Sequence, residues 1–185
     1  MPYQMVGEDN YIDFLRGRDD VARCPVCKVP THPFDHGFPQ KKVPKNYDLS
    51  NCFEGFELAS PRLKAFLEEH CTSPVEYFET GGGYFILRPK WAAFEDLTVK
   101  PETDTGWKIP VIAEDFCETC GRFNSFHGKA KGLLKGGKEV GEFDLFRTVQ
   151  ELGPKMQKNF GLVAGDGLVK AIKAEKFKGV AFVPY

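Results

Sequence analysis

The sequence has no apolar run long enough to cross a membrane, and neither sign of charge predominates. A transmembrane helix needs about 20 consecutive apolar residues, and no such run occurs in the chain of 185 residues. The 25 Lys and Arg residues nearly balance the 26 Asp and Glu residues, which excludes a polybasic chain that coats nucleic acid. The N-terminal segment lacks the basic-then-apolar pattern of a secretion signal. We therefore expect a cytoplasmic protein without a membrane partner.

The common catalytic motifs are also absent. No GxSxG, HExxH, GxGxxG or kinase-type motif occurs, and residues 128–141 lack the GxxxxGK[ST] order of a P-loop. His32 and His36 lie in one segment with Asp35, and a His–Asp pair could perform acid–base chemistry. A solvated loop is the simpler interpretation of this segment. We expect no enzyme and no catalytic residues, whereas an enzyme with an unrecognised site would need a deep polar pocket around His32 and His36.

Charge is distributed unevenly along the chain. Residues 48–120 contain 14 acids and 6 bases, whereas residues 122–178 contain 12 bases and 6 acids. Two solvated surfaces of opposite charge would explain this, and so would one surface that docks an oppositely charged partner. The 42% content of hydrophobic residues and the 17 Phe residues indicate a globular protein with an aromatic core.

Two segments share the predicted order strand, helix, strand. In residues 52–79, a strand-like stretch at 52–58 precedes Ser60 and Pro61, which are typical of an N-cap and the first helical position. Residues 160–184 follow the same order. At an offset of 105 residues, three pairs are identical: Ala59 and Ala164, Leu63 and Leu168, Val75 and Val180. Duplication and chance resemblance both explain three identities. We predict one α+β domain over residues 1–185, with two halves that each contain a β-α-β unit.

Four of the six cysteines form two CxxC pairs. Two thiolates separated by two residues can curl around one ion, and two such knuckles supply a closed tetrahedral zinc shell. Gly121 suits the left-handed turn after the second pair. The sequence therefore predicts a structural, zinc-ribbon-like Zn²⁺ site that joins the two halves. Its predicted ligands are Cys24, Cys27, Cys117 and Cys120.

Other interpretations of these cysteines remain open. A redox CxxC usually opens a helix, which the prolines around the first pair (residues 24–27) disfavour. A local site of Cys24, Cys27, His32 and His36 would leave the second pair unused, and His127 could replace one cysteine. We expect Cys52 and Cys71 to be buried thiols. A structural zinc ion could decide whether this chain folds, because apparent zinc-binding energies of about 10–16 kcal/mol match or exceed the net stability of a typical domain, about 5–15 kcal/mol.

Several of these motifs together resemble the double-CXXCG family, which includes the immunity proteins of Sit-type toxin systems in social gliding bacteria. The resemblance rests on CPxC at residues 24–27, CxxCG at 117–121, DLFR at 144–147 and GVxF at 179–182. The helix start at Ser60 also looks like the family's mid-chain helix. Two features depart from the family pattern: Lys28 follows the first pair in place of Gly, and the stretch from 83 to 116 is short.

The resemblance implies a small cytoplasmic immunity protein that binds and neutralises a cognate antibacterial toxin. As a hypothesis, an acidic surface would mimic nucleic acid in the toxin's cleft. Its residues would be Glu68, Glu69, Glu76, Glu79, Glu95 and Asp96. The alternative is a zinc-ribbon protein that binds nucleic acid, which the balanced charge disfavours. It would use Lys129, Lys131, Lys135, Lys138, Phe123 and Phe126.

Overall fold

A computed structural model describes residues 2–93, 112–127, 139–154 and 159–184. Within these ranges the chain forms two α-helices, α1 (Pro61–His70) and α2 (Asp166–Ala174). The strands of the same ranges are β1 (Tyr3–Asp9), β2 (Leu49–Asn51), β3 (Glu57–Ala59), β4 (Val75–Glu79), β5 (Phe85–Pro89), β6 (Ala92–Ala93), β7 (Ile112–Cys117), β8 (Arg122–His127), β9 (Leu145–Pro154), β10 (Asn159–Ala164) and β11 (Val180–Pro184). No helix within these ranges has both the length and the apolarity that a bilayer crossing requires.

The strands of the described residues belong to one hydrogen-bonded sheet. Its main path runs β4-β5-β3-β2-β1-β10-β9-β8-β7, while β11 also pairs with β1 and β6 with β9. Neighbouring strands are antiparallel except for the parallel pairs β1–β2 and β6–β9. The predicted mixture of strand and helix is therefore present, with far more strand than helix.

Two similar strand–helix–strand units lie within this sheet. The first unit consists of β3, α1 and β4, and its two strands pair with β5, which lies between them. The second consists of β10, α2 and β11, whose strands flank β1. The strand that lies between the two strands of a unit, β5 in the first and β1 in the second, is antiparallel to both of them. Each unit is therefore a β-α-β unit with an antiparallel strand inserted between its two parallel strands.

The pairing registers of the two units agree position by position. Ala59 of β3 and Glu79 of β4 both pair with Phe85 of β5. The equivalent residues of the second unit are Ala164, Pro184 and Tyr3. The offset of 105 residues seen in the sequence thus relates β3 to β10, α1 to α2 and β4 to β11. The central strand follows the first unit in the chain but precedes the second.

The loop after the helix of each unit also contacts the residue before the strand that borders the other unit: β2 borders the first unit and β9 the second. The loop after α2 contacts the start of β2, because the Lys178 N–H donates to Asp48 Oδ2 over 2.8 Å and the Asp48 N–H donates to the Lys178 carbonyl. The loop after α1 contacts the residue before β9, because Thr72 Oγ1 donates to Asp144 Oδ1 over 2.6 Å. Matching contacts in both directions are typical of a two-fold arrangement.

The buried apolar residues form two large cores, which do not correspond to the two units. One core lies under both helices and contains residues of both units, among them Leu63 and Leu67 of α1 and Leu168 and Ile172 of α2. A second core is rich in aromatic residues, as the Phe content predicted. Its rings include Phe14, Phe34, Phe38, Phe56 and Phe78, with centroids 5.0–6.0 Å apart in the contacting pairs.

The structure corrects the start of the first predicted unit. Residues 52–56 form a turn and not a strand, because the Cys52 N–H donates to the Phe56 carbonyl and Gly55 has a φ of 81°. Strand structure begins only at Glu57, so the unit spans residues 57–79 rather than 52–79. The apolar spacing of 52–58 fitted a strand, but the glycine at 55 reverses the chain. The other unit begins one residue earlier than predicted, at 159.

Candidate metal centre

The first CxxC pair lies at the tip of a short antiparallel turn. Arg23 and Pro30 form a β-bridge, and the Cys24 N–H donates to the Val29 carbonyl over 2.9 Å. Lys28 adopts a left-handed φ of 64°, and its N–H donates to the Cys24 carbonyl. These bonds fold residues 24–28 into a knuckle and bring both sulfurs to the same side.

The second pair lies between β7 and β8 and repeats this geometry. Cys117 pairs with Arg122 at the end of the hairpin, and the Gly121 N–H donates to the Cys117 carbonyl over 2.8 Å. Gly121 has a φ of 67°, as the sequence predicted. The departure from the family pattern at Lys28 therefore does not change the backbone, since Lys28 adopts the conformation that glycine favours.

The two knuckles bring all four sulfurs into one cluster. Cys24 Sγ lies 3.7 Å from Cys117 Sγ, and Cys27 Sγ lies 3.6 Å from Cys120 Sγ. All four Sγ atoms lie within 4.8 Å of one another. A tetrahedral shell with bonds of about 2.3 Å would separate sulfurs by about 3.8 Å. The cluster therefore has the size and donor set of a closed metal site.

Arg122 links the two knuckles independently of the sulfurs. Its guanidinium donates to the Pro30 carbonyl over 2.8 Å and to the Thr31 carbonyl over 3.1 Å, and it lies 3.2 Å from Glu151 Oε2. Sequence reasoning missed this residue, because nothing in the sequence except its position after Cys120 marks it. Arg122 holds the turn of the first knuckle against the hairpin of the second.

Local hydrogen bonds favour the thiolate at one end of the cluster. The Cys27 backbone N–H, with smaller contributions from its neighbours, lowers the pKa of Cys24 to about 6. The Cys120 backbone N–H similarly lowers the pKa of Cys117. Burial, followed by the nearby thiols, raises the pKa of Cys120 to about 12. Four thiolates so close together need a cation, which a divalent metal supplies while releasing the remaining protons.

The other predicted candidates lie outside the cluster. Among the described residues, the group that could hold a metal consists of the four cysteines, so the local site with His32 and His36 is wrong. Neither CxxC opens a helix, as a redox pair would. Cys52 is buried as predicted, while Cys71 is only half-buried and contacts Ser73. The side chain of His127 and the lysines between 128 and 138 lie outside the described residues.

The histidine segment has no catalytic geometry of its own. His32 and Asp35 are both 69% exposed, and His32 Nδ1 lies 4.0 Å from Asp35 Oδ2. A polar cavity does include His32, but His36 is exposed and lies outside it. The pocket that an unrecognised enzyme would need is thus present in part, and its lining contains three arginines, three acids and His32.

Comparison with known proteins gives no match: no family model, no curated protein and no solved structure is significantly similar to this chain. The resemblance to the double-CXXCG family therefore stays a prediction.

Proposed function

We propose that the chain is a zinc-stabilised immunity protein that binds a cognate antibacterial toxin in the cytoplasm. The observation that carries the proposal is the cluster of four sulfurs within 4.8 Å of one another, formed by two of the motifs on which the family resemblance rests. A closed thiolate shell leaves no position for water or substrate, so its role is structural. Zinc would hold a rigid surface in place, and that surface would bind the toxin.

The metal part of the proposal is tested by elemental analysis of the purified chain. We expect one zinc per chain, because four thiolates satisfy one tetrahedral ion. Cys117→Ser should remove a ligand and lower the zinc content well below one. Cys71→Ser is the matched control, since this half-buried thiol lies outside the cluster. Full zinc content in Cys117→Ser would rule out the proposed ligand set.

The binding part is tested by co-expression with the product of the adjacent gene. We expect a stable complex that survives gel filtration, together with loss of the toxicity that the neighbouring product causes alone. Failure to bind while zinc content stays at one would contradict the immunity function but leave the metal centre intact. The two parts of the proposal can therefore fail separately.

Four of the six acids of the mimic hypothesis lie within the described residues, whereas Glu95 and Asp96 lie outside them. Glu68 pairs with Lys64 over 2.6 Å, and Glu76 lies within 4 Å of both Arg88 and Lys90. Glu69 and Glu79 are exposed and remain the described acids best placed to meet a basic partner. Reversing both to Lys should weaken toxin binding, while Glu142→Lys, another exposed acid, should leave it unchanged. Equal toxin affinity in the Glu69 and Glu79 double variant and in Glu142→Lys would contradict the mimic hypothesis.

The nucleic-acid alternative predicts a different result. Retention on DNA or RNA that falls steeply with salt would support it, because phosphate contacts release counterions. No retention at low salt would count against it.

A further inference from the structure

A cavity of about 250 Å³ lies beside the metal centre and contains three arginines. Arg88 comes from β5, Arg147 from β9 and Arg122 from the start of β8. The segment after the first knuckle supplies another wall, with residues 29–35. Ligand pockets for drug-sized molecules span about 300–1,000 Å³. This cavity therefore suits a small anion or the charged end group of a larger ligand.

Arg147 has a buried hydrogen-bond donor that lacks an acceptor among the described residues. Its side chain is half-buried, and its Nε is buried without a hydrogen-bond partner among the described residues. Burial, followed by the like charge of Arg88, lowers the pKa of Arg147, and Glu151 opposes this. A buried donor left without an acceptor costs free energy, more so when it is charged. An incoming oxyanion would remove this cost.

The acids that line the same cavity already have partners. Glu54 Oε1 accepts from the Phe14 and Leu15 N–H groups over 2.8 and 2.7 Å, and its Oε2 accepts from Cys52 Sγ. Glu151 pairs with Arg122 over 3.2 Å. Asp35, the third acid of the lining, is an exposed residue beside His32. Outside the lining, Arg88 Nη1 lies 3.7 Å from Glu76 Oε2, so the other N–H donors of Arg88 and the Nε–H of Arg147 are left for a ligand.

Aromatic rings hold these two guanidinium groups in place. The Arg88 guanidinium carbon lies 4.8 Å from the Phe34 ring centre, and that of Arg147 lies 5.8 Å from the Phe160 ring centre. The Phe34 and Phe160 rings themselves stack with centroids 6.1 Å apart. Cation–π contacts favour the two charges without occupying their N–H donors. The arrangement is preorganised, which reduces the entropy lost on binding.

We propose that this cavity is an oxyanion site in which Arg147 and Arg88 bind a phosphate or carboxylate group. Arginine suits this role because its planar fork of N–H donors matches both groups bidentately. The proposal does not depend on the immunity function, since it rests on the cavity alone. It also places the site next to the metal centre, because residues 29–35 follow the first knuckle, Arg122 follows the second, and both line the cavity.

The test is an NMR titration of the zinc-loaded full chain with inorganic phosphate and, separately, with acetate. The Nε–H signal of Arg147 and the backbone amides of Thr31 and Phe34 report on the cavity. We expect saturable shifts of these signals with at least one anion. Saturation by phosphate alone assigns the site to phosphate groups, and saturation by acetate alone assigns it to carboxylates.

Variants separate this site from general anion binding. Arg147→Gln should weaken binding roughly tenfold or more, because it removes a charged hydrogen-bond donor. Arg147→Lys should also weaken it, since it keeps the charge but loses the fork. The control is Arg16→Gln, an exposed arginine outside the cavity, which should leave the affinity unchanged. If Arg147→Gln does not fold, the anion affinity of Arg147→Lys and the Nε–H signal of Arg147 in the wild-type protein still test the proposal. Shifts that never saturate, or equal affinity in the Arg147 and Arg16 variants, would overturn the proposal.

Discussion

At the scale of single residues, the carboxyl of Glu57 is buried at the junction of β1 and β3. It is 5% exposed, and its Oε2 accepts from the Gly7 N–H over 3.0 Å. Burial raises the pKa of Glu57 to about 8 from a usual value of 4.5, although the bonds from Gly7 and Asn51 oppose this. The folded protein therefore keeps this proton at a pH where the unfolded chain has lost it.

Glu57 should make the protein less stable as the pH rises. Between pH 4.5 and 8 the folded state binds more protons than the unfolded state, so the free energy of unfolding falls as pH increases. The slope from this group approaches about 1.4 kcal/mol per pH unit. Glu57→Gln keeps an acceptor for Gly7 and carries no charge, so it should remove this slope. Urea unfolding from pH 5 to 8 measures it, with exposed Glu8→Gln as the control. An unchanged slope in Glu57→Gln would show that the folded carboxyl is already ionised.

The residues that follow the two CxxC pairs allow a second test. Lys28 and Gly121 have φ values of 64° and 67°, a conformation that costs a residue with a side chain about 1–2 kcal/mol. Gly121→Ala should therefore lower the stability of the metal-loaded protein by about 1 kcal/mol. Lys28→Gly should raise it by up to about 1 kcal/mol, less the loss of the 2.7 Å bond from Lys28 Nζ to the Pro25 carbonyl. Thermal midpoints measure both, and a shift of the same sign in the two variants would contradict this account.

At the scale of secondary-structure elements, the two helices begin at equivalent positions with different chemistry. Ser60 caps α1, since its Oγ accepts from the Leu63 N–H over 3.1 Å and donates to Asp48. The equivalent N-cap of α2 is Gly165, which makes no side-chain cap bond. A Cβ atom at 165 would lie 1.9 Å from the Gly141 carbonyl oxygen. Close packing, and not φ, therefore requires glycine there.

Serine is normally a favourable N-cap residue, but we expect it to stabilise the protein at position 60 and to destabilise it at position 165. Ser60→Ala should cost about 1–2 kcal/mol, because it removes the cap. Gly165→Ser would supply the cap that α2 lacks, yet it should destabilise the protein by about 1–3 kcal/mol, because the new side chain overlaps the backbone at 141. Chemical denaturation measures both variants. If Gly165→Ser were more stable than the wild-type protein, the backbone at residue 141 would have to move away from the new side chain at little cost in free energy.

Local signals explain which elements the sequence could predict. The Ser60-Pro61 start, the glycine at 121 and the spacing of the CxxC pairs act within a few residues, and the structure contains the corresponding helix, turn and knuckles. Strand pairing is not local. Nothing in residues 3–9 indicates that β1 lies between β10 and β11, more than 150 residues later. The oxyanion cavity was likewise unpredictable, because its arginines come from β5, β8 and β9.

At the scale of the whole molecule, the metal centre and the principal core involve different parts of the chain. Among the side chains that the structure describes, the core shared by the two units contains no residue from 23–30 or from 115–123 of the β7–β8 hairpin. Reciprocal contacts through Asp48 and Asp144 also join the units without the cysteines. The four sulfurs instead fasten the first knuckle to the second, across 93 residues of chain from Cys24 to Cys117. A bound metal would therefore contribute most of its energy to the knuckles and to the cavity beside them.

Removing the metal should open the knuckles before it unfolds the paired units. With a chelator present, we expect hydrogen exchange to rise at least roughly tenfold at the amides of Cys24, Lys28 and Gly121, whose bonds shape the two turns. Exchange in α2 and β10 should change little, since their packing does not involve the sulfurs. Phosphate or acetate binding should weaken at the same time, because residues 29–35, which follow the first knuckle, line the cavity. Readdition of zinc should restore both. Simultaneous loss of protection across the core and the knuckles would instead mean that the four sulfurs hold the entire fold together, as the magnitude of zinc-binding energies allows.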